Sequence, residues 1–407
     1  MTDKHSLAFL LRIFIPFALG YFLSYLFRVV NAVIAPDLTA ELALSANQLG
    51  LLTSAYFLTF AAFQLPLGIL LDRYGPRRIE AALLLFAAAG ALIFSLSESV
   101  SGLILGRALI GFGVSACLMA AFKSFVQWFP ANRLPMANGL QLASGGLGAL
   151  AATTPVETAL QFTDWRGVFM ALALLSLLVS ALLFALVPDK EEKHPHIGMA
   201  DHIQGILHIF TSRLFWRITP WAVASQAGFL SIQSLWAGPW LRDVAGFDRD
   251  TTALYLAFIA SAMVAGFALI GFTAGRLSKL GITTTAVAGT GMALFMIAQA
   301  GIALGFTELA LPLWLLFGFF GTSGTVTYAV LSQNFAPNLA GRVNTAHNLL
   351  VFIVAFAGQW GIGAIIDLWP RGVAGGYAPE AFQWAFAIVL LAQLATMLWF
   401  FLFKASK

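Results

Sequence analysis

The chain has 407 residues, 60% hydrophobic and 10% charged, with 37 Phe, 37 Gly, 11 Trp and a mean hydropathy of +0.86. Soluble domains carry about 25% charge, so this composition excludes a water-soluble globule and reads as a polytopic helical membrane protein. The pI near 9.3 reflects an excess of only four positive charges, spread through short loops, which excludes a nucleic-acid-binding patch; the lone Cys117 excludes disulfides and cysteine metal sites.

A helix needs about 20 mostly apolar residues to cross a bilayer core. Twelve such windows occur, at 12–35, 47–71, 79–97, 101–126, 136–160, 167–187, 214–239, 251–274, 282–304, 309–333, 343–366 and 382–403. The N-terminal MTDKHSLAFLLRIF has no small-residue cleavage site before its apolar run and reads as an uncleaved first span. The longest polar stretch, 188–205, precedes a short amphipathic piece from His208 to Arg217 and divides the windows six and six. The expected fold is therefore an all-α membrane protein of 12 transmembrane helices in two pseudo-symmetric six-helix bundles. They comprise residues 1–187 and 214–407, joined by a cytoplasmic linker at 188–213.

Charge sets the orientation. With a cytoplasmic N-terminus the inner segments hold fifteen cations, among them Lys4, Arg12, Arg73, Arg77, Arg78, Lys190, Lys193, Lys404 and Lys407; the outer loops hold four, Arg166, Arg242, Arg249 and Arg371. The positive-inside rule then puts both termini and the linker in the cytoplasm. The short termini and compact chain suit a bacterial inner (cell) membrane. The remaining three cations, Arg28, Arg107 and Lys123, fall inside spans, whereas all eighteen acids read as loop or span-end residues. An intramembrane cation costs roughly 2.5–3.5 kcal/mol on insertion scales, so a transported anion is the simplest source of the missing negative charge.

The halves echo one another. Gly68-x-x-x-Asp72-Arg73 finds Gly271-x-x-x-Gly275-Arg276 at an offset of 203, Phe129-Pro130 with Arg133 finds Pro337 with Arg342, and Asp164-Trp165-Arg166 finds a faint echo in Gln383-Trp384. Their common order indicates a duplicated bundle, an architecture in which two halves rock about a midplane site.

Gly68-Ile-Leu-Leu-Asp72-Arg73-Tyr-Gly75-Pro76-Arg77-Arg78 resembles the cytoplasmic signature of the major facilitator superfamily, and Arg107-x-x-x-Gly111-x-Gly113 resembles its helix-four signature. Glycines there let helix ends approach, and Asp72 is expected to cap a neighbouring helix and pair with an arginine in one conformation. Ser24-Tyr25-Leu26-Phe27-Arg28 through Pro36-Asp37, with Gly50 to Tyr56, Phe63-Gln64-Leu65-Pro66 and Lys123 to Pro130, resembles the anion:cation symporter and organic-anion carrier branch. That branch often carries acids immediately before the first arginine and seven residues after the second. Phe27 and Val114 stand there instead, which keeps the anion inference and weakens the implied proton coupling.

On one helical face lie Tyr21, Tyr25 and Arg28, a receiver for a carboxylate or phosphate; the alternative for Arg28 is a cap on helix carbonyls. Arg107 is either a second anion contact or part of gating and packing. Lys123 lies sixteen residues further on, about 24 Å along an ideal helix, and suits snorkelling or an inner gate. In the second half Gln233 offers hydrogen bonds and Trp236 an aromatic wall, Trp236-Ala-Gly-Pro239 predicts a broken helix end, and Trp240 suits an interfacial belt. The glycines and hydroxyls of helix ten read as packing groups, with Tyr328 a cavity candidate. Asn344 and His347 lie in helix eleven; His347, the only histidine within a span, is the candidate for coupling, with hydrogen-bonded packing as its alternative. Asp72 and Arg73 complete the gating set.

No phosphate loop, His-Glu-x-x-His, nucleophile elbow or paired internal carboxylate occurs, and His194-Pro195-His196 reads as a solvated loop. The expectation is a carrier, not an enzyme, with no cofactor and no metal. It would move a small organic anion by alternating access, as a monomer in the bilayer with a co-transported proton left open. Anion exchange, or drug or cation efflux on the same fold, is the alternative.

Overall fold

The computed structural model describes residues 7–130, 133–189, 199–336, 339–371 and 376–403. Lys4, Lys190, Lys193, His194, His196, Pro337, Lys404 and Lys407 lie outside the described residues. The chain divides into two compact units, Met1–Leu44 with Leu51–His194, and Ser45–Gly50 with Pro195–Lys407. Among the described residues there are helices and no strands, as an apolar solvent requires of a chain that does not close into a barrel.

The first unit holds α1 (Leu7–Val29), α2 (Asn31–Leu42), α3 (Ala46–Tyr74, from Leu51 on), α4 (Pro76–Leu96), α5 (Val100–Gly113), α6 (Cys117–Trp128), α7 (Leu134–Ala151), α8 (Thr154–Ala159) and α9 (Trp165–Leu186). The second holds α10 (Met199–Phe210), α11 (Arg213–Ser231), α12 (Ala237–Asp243), α13 (Arg249–Lys279), α14 (Thr284–Ala303), α15 (Ala310–Gly321), α16 (Thr327–Asn334), α17 (Ala340–Ile366) and α18 (Pro379–Leu402). Start signals are local. Ser99 accepts from Gly102 N–H at 3.2 Å and Asp164 from Gly167 N–H at 2.8 Å, filling donors that a helix leaves empty. Pro76 and Pro379 open their helices where no amide is needed.

Among the described residues ten segments are long and apolar enough to span a bilayer. The other two predicted windows are covered by α7 with α8, interrupted at Ala152–Thr153 before Pro155, and by the polar α11 with α12. Large apolar side chains such as Leu85, Phe86, Leu174 and Leu178 are exposed, an arrangement suited to lipid and not to water.

Interruptions fall at matching ordinal places in the two halves. Span one breaks at Val30 and span four at Val114–Ala116; span seven contains a π-helical turn over Ile232–Trp236 and span ten a 3-10 turn over Thr322–Val326. Breaks free backbone groups that lipid cannot satisfy, so side chains must do it. Gln64 Nε2 donates to the Ser115 carbonyl at 3.3 Å, and Gln226 Nε2 to the Gly324 carbonyl at 3.1 Å.

Close helix approach comes from small residues. A Cβ on Gly145 would lie 2.5 Å from Tyr21 Cε1, and one on Gly148 would collide with the Phe22 carbonyl, so α1 lies tight on α7. Gly111 presses on the Tyr56 backbone of α3, and Gly113 on Ala87 of α4. In the cytoplasmic signature the expectation of close approach is corrected. Gly68 and Gly75 have no heavy atom within 4 Å of a built Cβ, and Gly75 serves instead by its left-handed φ of +80° between α3 and α4. The helix-ten glycines pack as expected: Gly318 meets the Ile259 carbonyl and Gly321 the Phe229 ring.

Candidate functional site

Arg28 lies in the last turn of α1, where the break at Val30 creates a helix C-terminus inside the membrane. The carbonyl end of a helix carries negative partial charge, which is how this sequence tolerates a buried cation at this depth. The guanidinium carbon stands 4.3 Å from the Tyr25 ring centroid, 5.6 Å from Phe60 and 5.8 Å from Tyr56, and Arg28 also hydrogen-bonds the Tyr56 side chain. Tyr56 O–H donates to the Ser24 carbonyl at 3.1 Å, so its oxygen lone pairs are left to accept from Arg28. Tyr21 and Tyr25 pack edge to face at 5.2 Å beside it. The expected face of Tyr21, Tyr25 and Arg28 is thus assembled, and all three are buried.

Arg107 of α5 reaches the same tyrosine, its guanidinium carbon 5.2 Å from the Tyr56 centroid. The two guanidinium carbons are therefore at most about 11 Å apart, the two centroid distances laid end to end. Nη1 of Arg107 donates to the Phe27 carbonyl at 2.7 Å, a carbonyl at the end of α1. Arg107 thus caps a carbonyl at the end of α1. Among the described residues no carboxylate lies within ion-pair distance of Arg107, and its Nε is buried without a hydrogen-bond partner.

Lys123 and Asp72 form an ion pair, with the lysine side chain 19% and the aspartate 52% exposed. Asp72 is thus held here by a lysine of α6, at the end of the span where Lys123 was expected to snorkel or to serve an inner gate. Arg73 lies over the neighbouring Tyr74 ring at 5.2 Å.

A larger correction concerns the acids. Glu80, expected at a span end, is fully buried in α4, and Glu157 of α8 is 93% buried, its exposure being 7%. The reason for Glu80 is geometric: α4 begins at Pro76, so Glu80 already lies one turn along it, against Gly20 of α1 and Cys117 of α6.

The second unit holds its own polar cluster. Gln226 Nε2 lies 2.9 Å from His347 Nε2 and also donates to the Gly324 carbonyl. An amide nitrogen only donates, so His347 accepts at Nε2 and carries its proton on Nδ1, which is buried without a partner. Tyr328 stands edge-on to the imidazole at 5.0 Å and donates to Asn348 Oδ1 at 2.7 Å; Asn344 Nδ2 donates to Ser332 Oγ at 2.9 Å. Gln233, in the π turn, is buried with Oε1 unpartnered. Trp236 is fully buried and donates to the Gln359 carbonyl at 2.9 Å. Trp240, expected in an interfacial belt, is 1% exposed and packs against Trp314 at 5.5 Å; the helix break falls in the π turn that ends at Trp236, not at Pro239.

Tyr56, Phe60 and Glu80 were absent from the sequence-derived site; they are placed by contacts between helices, which periodicity along one helix does not report.

The family described as the Major Facilitator Superfamily matches residues 17–359. The probable sulfoacetate transporter SauU of Cupriavidus necator is 27% identical over 80% of this chain and 81% of its own length. The hexuronate transporter of Escherichia coli K12 is 29% identical over 58% of each. A bacterial homologue of the human lysosomal transporter Spinster, in an inward-facing and occupied conformation, superposes with a TM-score of 0.76 over 96% of both chains at 17% identity, a likeness of fold alone.

Proposed function

The chain belongs to the Major Facilitator Superfamily, a family of carriers and not enzymes, and from that premise we propose that it moves a small organic anion across a membrane by alternating access. The observation that carries this reading is the convergence of two buried guanidiniums, Arg28 and Arg107, on Tyr56. A planar fork of N–H donors suits a carboxylate or sulfonate, and the positive field of two cations in a low-dielectric setting repels cationic drugs. Arg28 binds the anionic head, Tyr25 and Tyr56 hold the fork in plane, and Arg107 adds long-range attraction while tying down the end of α1. Sulfoacetate and hexuronate, named for the two relatives, are a sulfonate with a carboxylate and a sugar acid. The shared feature is one strong anionic group on a small polar body, and that is the substrate class proposed.

Gln233, Gln226 and Tyr328 offer neutral hydrogen bonds in the second unit, and Asn344 and His347 support them. Lys123, Asp72 and Arg73 serve the cytoplasmic gate. The fifteen-to-four division of cations supports cytoplasmic termini, and the bacterial relatives support an inner-membrane location; the carrier works as a monomer.

The test is uptake of radiolabelled sulfoacetate and galacturonate into proteoliposomes, with wild type, Arg28→Ala and Arg28→Lys. Uptake is expected to saturate, to vanish in Arg28→Ala, and to survive weakly in Arg28→Lys because a point charge replaces the fork. Uptake undiminished in Arg28→Ala would remove this residue from the site.

A further inference from the structure

Glu80 has no role in the site so far described, yet its surroundings are unusual for an acid. It is fully buried, and a Cβ built on Gly20 would collide with its Oε1, so α1 leaves room for this carboxyl only because position 20 is glycine. Neither carboxyl oxygen takes a hydrogen bond from an N–H or O–H donor, and among the described residues no Lys, Arg or His lies within ion-pair distance. The Cys117 thiol lies beside it, its sulfur 3.7 Å from the same Cβ built on Gly20.

Among the described residues the neighbouring elements place no counter-ion within ion-pair distance. From α6 comes Cys117 and from α1 Gly20, with Arg28 two turns further on. α9 contributes Ser180, whose hydroxyl goes to the Ala81 carbonyl at 2.7 Å, and α5 contributes Arg107, bound to the Phe27 carbonyl. On its own helix Arg77 lies over the Phe184 ring at 4.7 Å, and Arg78 pairs with Asp189 on the exposed side. A carboxylate in such a place would be a buried charge without a partner, several kcal/mol uphill, whereas the neutral acid carries no such charge.

We propose that Glu80 is the proton-binding carboxyl of the transport cycle, taking up one H⁺ as the anion binds near Arg28 and releasing it as the anion leaves. The step is COO⁻ + H⁺ to COOH, the proton coming from water on the side of uptake and returning to water on the side of release. Protonated Glu80 leaves the positive field of Arg28 and Arg107 to the substrate; ionised Glu80 competes for that field. Each ligand therefore favours the other by the same factor. The inference rests on the anion-carrier reading and supplies its coupling ion, at a place other than those where the resembling branch has acids.

The first test needs no substrate. Difference infrared spectra of the purified protein between acid and alkaline pH should show a protonated-carboxyl C=O band that is lost in Glu80→Gln. In Cys117→Ser the band should shift and its titration midpoint should fall, because a hydroxyl donates more strongly to a carboxylate than a thiol does. A spectrum unchanged by Glu80→Gln would overturn the proposal, as would a midpoint indifferent to Cys117→Ser. The second test uses proteoliposomes and radiolabelled sulfoacetate. Glu80→Gln should keep counterflow at equal pH within about threefold, which also shows that it folds, and lose at least tenfold of the accumulation driven by an inward proton gradient. Accumulation equal to wild type would overturn the proposal; wild-type protein that exchanges no anion at all would sink the carrier reading instead and leave the infrared result to decide Glu80.

Discussion

Gly111→Ala is the sharpest probe of how the helix-four signature builds the site. A Cβ at this position would lie 2.7 Å from Tyr56 Cα and 2.7 Å from Thr59 Oγ1, and would collide with the Tyr56 carbonyl. Non-bonded carbons are comfortable at about 3.5–4.0 Å, so α5 must retreat from α3 by roughly 1 Å. The hydrogen bond from Thr59 Oγ1 to the Ala108 carbonyl, now 2.7 Å, would then be stretched to breaking. Overpacking costs about 1–3 kcal/mol and a lost hydrogen bond about 0.5–1.5, a total of roughly 2–4 kcal/mol. For a bundle of this size that lowers the unfolding temperature by roughly 5–15 °C. Arg107 lies one turn from Gly111 and moves with α5, so its bond to the Phe27 carbonyl weakens and the anion-induced thermal shift should shrink. Gly68→Ala is the internal control: with nothing within 4 Å of its Cβ, it should gain about 0.5–1 kcal/mol of helix propensity. Thermal unfolding in detergent, with and without sulfoacetate, measures both. Equal unfolding temperatures for Gly111→Ala and wild type would refute the idea that this glycine sets the approach of Arg107 to Tyr56.

Two further outcomes follow from single contacts. Asp248 accepts from Thr251 N–H at 2.7 Å at the start of α13, and its hydrogen bonds to the Thr251 backbone and side chain hold its carboxyl below the usual aspartate range. A depressed folded-state value contributes stability that is complete above the unfolded value, about 4, and is lost as pH falls through the folded one. Amide exchange at Thr251 and Thr252, corrected for intrinsic rates, should therefore stay constant from pH 7 down to about 5 and quicken below 4, whereas Asp248→Asn should be flat; a wild-type protein flat throughout would contradict the assignment. His347→Gln preserves an acceptor for Gln226, so sulfoacetate uptake should keep the wild-type pH profile, while His347→Ala strands a buried amide and should cost about 1–3 kcal/mol in thermal unfolding. A pH profile displaced by His347→Gln would return this histidine to the coupling machinery.

The sequence shows Arg28 plainly because a charge in an apolar window has few explanations, and shows Tyr21 and Tyr25 because three residues on one helix share a face by arithmetic. Tyr56 was hidden although it ends the Gly50-to-Tyr56 stretch that resembles the organic-anion branch, since its part depends on two arginines of other helices reaching the same ring. Interruptions divide the same way. Trp236-Ala-Gly-Pro239 signals one by composition, though the π turn falls before the proline. At Val30 there is neither proline nor glycine; there the break is held by what fills the freed groups, Arg107 on the Phe27 carbonyl and Asn31 Nδ2 on Thr53 Oγ1 at 3.0 Å.

Glu80 carries this reasoning furthest. In the sequence it follows Arg77-Arg78 by two residues and belongs with the charges of a short cytoplasmic loop. In the fold, the positive φ of Gly75 turns the chain so sharply that Pro76 already starts a helix. Arg78 then points to Asp189 at the surface while Glu80, two positions and some 200° on, points inward to Gly20 and Cys117. The same turn thus exposes one charge and buries the other. Cys117, which composition alone marks as an inert buried thiol, lies beside that acid where Gly20 leaves room for both. Removing the acids at the positions of Phe27 and Val114 does not leave the first unit without a titratable carboxyl; it leaves it with one whose proton can be gained or lost without an ion pair being broken.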